Sequence, residues 1–252
     1  MVGLPMILAA GFSSQVINGF DQSILGFLNQ FSHRSQTFDV LVEIVSRNDL
    51  LKGCATMALF WWAWACPGEK RKETRPYLLF TIISSVFAIF LARALANMLP
   101  FRERPVHNAS LNLRIPYGLD PGVLIGWSSF PSDHATVFFC LAAGLWFVSR
   151  RISLIAMAQT LFVIALPRVY LGIHFPTDII GGALLGIAIA STVQLSWLRE
   201  SLTRYPKIWL EKYPAWFYGA MFAYTFEIAE LYTSVRVLGR ATFAAMHHFV
   251  RL

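Results

Sequence analysis

Residues 77–99 read YLLFTIISSVFAIFLARALANML, a run of 23 residues that carries one charge, Arg93. As a helix it would be about 35 Å long, enough to cross a hydrocarbon layer about 30 Å thick. Water offers no good home for such a segment. Similar apolar runs fill residues 50–66 (with ATMALFWWAWAC), 133–149 and 178–198. In the last of these, Gly181, Gly182 and Gly186 are placed to let a neighbouring helix come close. A fifth run, 152–171, contains Pro167, which is expected to kink or end it. Composition agrees: 56% of the 252 residues are hydrophobic and only 14% charged, against about 25% charged in soluble domains. The fold class expected is all-α, a polytopic membrane bundle of six core helices with interfacial helices near the termini.

The ends are less regular. Residues 4–31 read as one span diluted by Asp21, Gln22, Asn29 and Gln30. Residues 36–47 place Phe38, Leu41, Val42 and Val45 at helical spacing, as in a helix lying at the interface. From Pro214 onward an apolar, aromatic stretch gives way to Glu227, Glu230, Arg236 and Arg240. A long amphipathic surface helix is the first expectation there and a seventh, polar-faced span the second. The N-terminus lacks the basic residues of a signal peptide and reads as retained. With no internal repeat or linker, residues 1–252 form one domain, its catalytic core at about 77–198 and a cytoplasmic or interfacial extension at 199–252.

The net charge of +7 does not point to nucleic acid, because the basic residues sit in short clusters between apolar runs. Lys70, Arg71 and Lys72 form one, Arg150 and Arg151 another, and Arg199, Arg204 and Lys207 a third. An even number of spans separates these clusters, so they share one side, and the positive-inside rule makes it cytoplasmic. Cys54, Cys66 and Cys140 lie in apolar runs without CxxC spacing and read as small buried hydrophobes.

The same topology brings three polar clusters together on the opposite face. They are RERP (Arg102 to Pro105), PSDH (Pro131 to His134) and PRVYLGIHFPTD (Pro167 to Asp178). Ionisable groups near a membrane are costly to keep and are usually functional. In the third, five residues separate Arg168 from His174 and three separate His174 from Asp178.

In that order the clusters resemble the type 2 phosphatidic acid phosphatase family, whose signature is K-x6-R-P, then P-S-G-H, then S-R-x5-H-x3-D. The resemblance covers roughly residues 77–198. It implies that Arg104 and Arg168 hold phosphate oxygens with bidentate forks. Ser132, at a helix start, adds a hydroxyl and backbone amides. His174 becomes the nucleophile that forms a phospho-histidine, and Asp178 orients it. His134 is the acid that protonates the leaving oxygen. The scheme implies no cofactor and no metal.

Three positions depart from the signature. Asn97 stands where the family has lysine, Asp133 where it has glycine, and Pro167 where it has serine. Asn97, Arg102 and Asp133 complete the expected phosphate-binding set, with Arg102 or Arg93 making up part of the missing charge. Asp133, beside an anionic substrate, is expected to turn its carboxylate toward an arginine or solvent.

FPSDHA and the relaxed lysine position look like the undecaprenyl-diphosphatase branch. That implies a bacterial inner-membrane enzyme that removes one phosphate from a polyprenyl diphosphate, with its active site facing the periplasm. Its partners would be the lipid substrate and membrane lipids, with no nucleic acid and no obligatory protein partner. Phosphatidic acid, phosphatidylglycerophosphate or lipid A phosphatases are the alternatives within the class, and a non-catalytic anion-binding transporter is the alternative outside it. A soluble vanadate haloperoxidase is set aside because its helices would not be this apolar.

Overall fold

The computed structural model describes residues 17–66, 70–235 and 237, and among these it is helical with no strand. Its helices are α1 (Gly19–Asn29), α2 (Gln36–Arg47), α3 (Ala55–Ala65), α4 (Lys70–Met98), α5 (Asp133–Gly144), α6 (Arg150–Gln159), α7 (Leu166–Tyr170), α8 (Pro176–Ser191), α9 (Ser196–Lys212) and α10 (Pro214–Ala229).

Among the described residues three helical stretches are long and apolar enough to cross a membrane: Glu73–Met98, Arg150–Tyr170 and Pro176–Gln194. The expected count of six is therefore not reached on length and composition. The reason is clearest at α5. With its last turn it runs only from Asp133 to Phe147, about 22 Å. Its residues from Ala135 to Leu145 are almost all buried, packed between α4 and α8. Protein, rather than lipid, surrounds that apolar run. Helices α3 and α10 are short for the same purpose. They bury Phe60, Trp64, Phe217 and Met221 in a core shared with α4 and α5.

The contact between α5 and α8 is set by glycine. A Cβ on Gly182 would stand 2.6 Å from the Ser132 carbonyl oxygen, and one on Gly186 2.2 Å from that of Thr136. Only a hydrogen fits at either place, so the backbones touch there, and this close contact fixes α8 against the start of α5.

The stretch Arg150–Tyr170 is continuous through Pro167. The helix widens over Thr160–Ala165, where the Leu166 amide bonds back five residues to the Leu161 carbonyl. Widening ahead of a proline relieves the clash of its ring with the preceding turn. The helix then ends three residues after Pro167, at Tyr170.

Three expectations are corrected here. Helix α4 begins at Lys70, well before residue 77, with Pro76 inside it. Helix α2 has the expected bounds, and as in a helix at the interface its apolar residues Phe38, Leu41 and Ile44 face outward while Asp39 and Ser46 are buried. Its polar side faces the protein because Asp39 has partners there: the Tyr170 hydroxyl, and the His33 and Tyr117 amides at 2.9 and 3.0 Å. Helix α10 is apolar on both sides, burying Phe217 and Met221 and exposing Trp216 and Phe222, so it is not an amphipathic surface helix. Of the three cysteines only Cys140 is buried; Cys54 is half-buried and Cys66 exposed, and all three are free. The readings that involve residues 1–16, Arg236 and Arg240 lie outside the described residues.

Candidate active site

The R-x5-H-x3-D spacing becomes geometry through the end of one helix and the start of the next. At the end of α7, Gly172 takes the left-handed conformation (φ 67°), which lets the chain reverse over the last turn. The amides of Ile173 and His174 then bond to the Arg168 carbonyl at 3.0 and 3.3 Å, folding His174 back over the arginine's turn. Four residues on, Asp178 sits in the first turn of α8 and accepts the Phe175 amide at 2.7 Å, capping that helix.

The other two clusters dock on this turn. The Val106 amide bonds to the Gly172 carbonyl at 2.8 Å and holds the Arg104–Pro105 segment beside it. Ser132 donates its amide to the Asp178 carbonyl at 3.1 Å and caps α5 through its hydroxyl, 3.5 Å from the Ala135 amide. Pro131, in cis after Phe130, leads into this cap.

His174 is buried, and its two ring nitrogens have different partners. Nδ1 lies 2.9 Å from the Ser129 carbonyl oxygen, which can only accept, so Nδ1 carries the proton. Nε2 therefore holds the lone pair, and it lies 3.3 Å from Nη1 of Arg104. Asp178 was the expected acceptor of the ring N–H, but its Oδ2 is 3.6 Å from Nδ1, too far for a hydrogen bond. It acts on the ring as a nearby charge, while the Ser129 carbonyl fixes the tautomer.

Burial pulls His174 down from its ordinary value to about 4, with Asp178 opposing that fall. A lowered value means that the neutral ring, with its Nε2 lone pair, persists through neutral pH. The acid limb of kcat/KM for phosphate release is therefore expected near pH 4, as the ring gains its proton there. A pH–rate profile whose acid limb lies at an ordinary histidine value near 6.5 would contradict this.

Arg104 is buried and donates from Nη1 to the Ile173 carbonyl at 2.8 Å and from Nη2 to the Ser128 carbonyl at 3.2 Å. Burial pushes it down to about 10, so it stays charged at neutral pH. Arg168 is buried as well, and the Nε–H of both arginines is without a partner among the described residues. Two buried guanidinium donors left unpaired are costly, and an anion is what would satisfy them. His134 stands in the first turn of α5, half-buried, where the charges of Arg168, Lys52 and Arg93 act on it.

Of the remaining expected site residues, Asp133 turns to an arginine as expected, whereas Asn97 and Arg102 are placed differently. The carboxylate of Asp133 is paired with Arg93, whose guanidinium also covers the Trp127 ring at 4.7 Å. Asn97 is exposed, one turn further along α4, and its side chain makes no hydrogen bond among the described residues. Arg102 is not open to phosphate. It pairs with Asp178, donates to Asp21 at 2.7 Å and to the Thr177 hydroxyl at 2.8 Å, and lies 4.2 Å over the Phe175 ring. It holds Asp178 in place.

Asp21, from α1, completes that support by accepting the Thr177 amide at 2.9 Å and the Thr177 hydroxyl at 2.7 Å. The sequence pattern marked Asp21 only as a polar break in an apolar segment. Among the described residues no group of three or more His, Cys, Asp or Glu side chains gathers as a metal site would.

A buried imidazole whose Nε2 faces Arg104, with Arg168 buried nearby, lies at one end of an apolar helical bundle of the kind that membrane proteins build. Residues 73–200, about half of the chain, match the family model of the PAP2 superfamily, and the chain belongs to that family of phosphatases. Two curated relatives share parts of this stretch. YbjG of Escherichia coli K12, whose name carries a provisional undecaprenyl-diphosphatase assignment, is 27% identical over 158 residues, 63% of this chain and 73% of its own. The bacitracin transport permease protein BcrC of Bacillus licheniformis is 26% identical over 145 residues, 54% of this chain and 66% of its own. A transmembrane PAP2-type phosphatidylglycerolphosphate phosphatase from Bacillus subtilis aligns over 76% of this chain and 90% of its own, at 21% identity and a TM-score of 0.48.

Proposed function

We propose that the protein removes the terminal phosphate of a polyprenyl diphosphate, undecaprenyl diphosphate being the first candidate, through a phospho-histidine at His174. The observation that carries this reading is the His174 ring, which donates Nδ1–H to Ser129 and keeps its Nε2 lone pair beside Arg104.

In the first step Nε2 attacks the terminal phosphorus. A P–N bond forms as the P–O bond to the bridging oxygen breaks, and His134 gives its proton to that oxygen as lipid monophosphate leaves. In the second, His134 takes a proton from water, whose oxygen attacks the phospho-histidine. The P–N bond breaks and inorganic phosphate is released. Arg104, Arg168 and the start of α5 hold the non-bridging oxygens as their charge shifts. Asp178 stabilises the positive charge that the ring gains. None of these steps uses a metal.

The provisional assignment carried by YbjG supports a diphosphate of a long prenyl chain as substrate. Such a lipid keeps its tail in the bilayer and offers its headgroup at the interface. The basic clusters stand at the start of α4, the start of α6 and within α9, and by the positive-inside rule they support a site that faces the periplasm.

The test is phosphate release by the purified protein from undecaprenyl diphosphate, phosphatidic acid, phosphatidylglycerophosphate and lipid A, each with and without EDTA. We expect the diphosphate to give the highest kcat/KM, unaffected by chelator. Preference for another lipid would move the substrate assignment, and loss of activity in EDTA with recovery in magnesium would contradict the metal-free scheme. The name of BcrC favours a second reading, in which the same cations bind an anion for transport without chemistry; a purified protein that binds these lipids but releases no phosphate would support it.

A further inference from the structure

Lys52 is a lysine buried inside an apolar run, with only 5% of its surface exposed. Burying an ammonium costs several kcal/mol unless a partner offsets it. The partner in the structure is Asp49, one turn earlier, at 3.1 Å from Nζ, and that carboxylate is half-exposed and so can be hydrated in its own right. The lysine side chain turns away from solvent and toward the protein.

Its neighbour there is the helix that carries Arg168. Lys52 belongs to a widened helical turn, Leu50–Cys54, that leads into α3. This turn packs against the widened turn Thr160–Ala165, just ahead of Arg168 on the same continuous helix. The charge of Lys52 acts on Arg168 and also on His134. Both cations are buried and each is within range of the other's charge, and the Arg168 Nε–H is unpartnered among the described residues. A multiply charged anion between them removes both costs at once. The cation-bearing positions on α4 do not serve: Arg93 is taken up by Asp133, and Asn97 is uncharged and exposed.

We propose that Lys52 is a further phosphate-binding residue, a third cation that joins Arg104 and Arg168 on the substrate's phosphate oxygens, delivered from the α3 side of the bundle. The proposal rests on the phosphatase reading above. In the free enzyme Asp49 competes with phosphate for the ammonium, and on binding Lys52 exchanges the carboxylate for a phosphate oxygen.

The experiment uses the full-length protein in detergent, with orthovanadate as the phosphate analogue and the best lipid of the panel as substrate. Lys52→Gln is expected to raise the vanadate inhibition constant and KM about tenfold or more, as loss of a charge-assisted contact does. Asp49→Asn frees the ammonium and is expected to tighten vanadate about threefold. An inhibition constant that Lys52→Gln leaves unchanged would overturn the proposal. So would Asp49→Asn weakening vanadate, because the pair would then be a structural tie. Asp49→Asn decides the matter alone if Lys52→Gln does not fold, since tightening supports the proposal and anything else overturns it. A wild-type protein that neither releases phosphate nor responds to vanadate would remove the phosphatase reading itself, whereas an active wild type with unmoved variants removes only the role of Lys52.

Discussion

His174→Ala is expected to lower phosphate release about a thousandfold or more, because it removes the one group placed to form the covalent bond to phosphorus. Binding should survive, since Arg104 and Arg168 supply the charge that attracts the headgroup and neither uses the ring as its sole partner. Arg104 would lose a 3.3 Å contact with Nε2 but keep the Ile173 and Ser128 carbonyls. The expected signature is thus a collapsed kcat with KM and vanadate affinity within a few-fold of wild type. Turnover that persists at a tenth of the wild-type rate or more would mean that water or another side chain attacks phosphorus directly.

Asp178→Asn is expected to lower kcat by about two to four orders of magnitude, ~3–5 kcal/mol of barrier, with little change in KM. The carboxylate has three tasks in the structure. Oδ2 caps α8 through the Phe175 amide, Oδ1 holds Arg102, and the charge as a whole sits 3.6 Å from Nδ1 of His174. An amide has only one acceptor oxygen, so one of the two donors would meet the NH2 group instead. Arg102 would be left with Asp21 as its only carboxylate, and the positive charge that His174 gains on attack would lose its neighbour. The phosphate contacts themselves do not involve Asp178, which is why affinity should hold. A variant with intact kcat and a raised KM would show that Asp178 serves binding instead.

The parts of this site that were legible in the sequence are those whose geometry is local. Arg168, His174 and Asp178 are joined by one reversing turn and one helix start, so their spacing already specifies their relation. Ser132 and His134 lie in a helix cap, where residue type and position are linked in the same way. The α2 bounds were legible too, because Ser35 caps one end and the apolar spacing runs to Arg47.

What was not legible depends on partners far away in the chain. The acceptor of the His174 proton is a backbone carbonyl 45 positions upstream, and no residue type signals a carbonyl. Arg102 and Arg104 stand two residues apart, but one turns to Asp21 and Asp178 while the other turns to His174. Only the fold separates them. Lys52 was hidden by the apolar residues around it. The number of spans was hard to read for a related reason. Hydropathy responds to burial as such, and α5 is buried by other helices, so its apolar run says little about lipid contact.

The central claim is that phosphorus becomes bonded to His174 during turnover. Its most direct measurement is to mix the protein with substrate labelled in the terminal phosphate, quench within one turnover under alkaline conditions that preserve phospho-histidine, and map the label by mass spectrometry. The account predicts phosphate on the peptide that contains His174, absent from the His174→Ala protein and lost on mild acid treatment. Label on Ser132 or on His134, or full turnover with no labelled protein at any time, would contradict it.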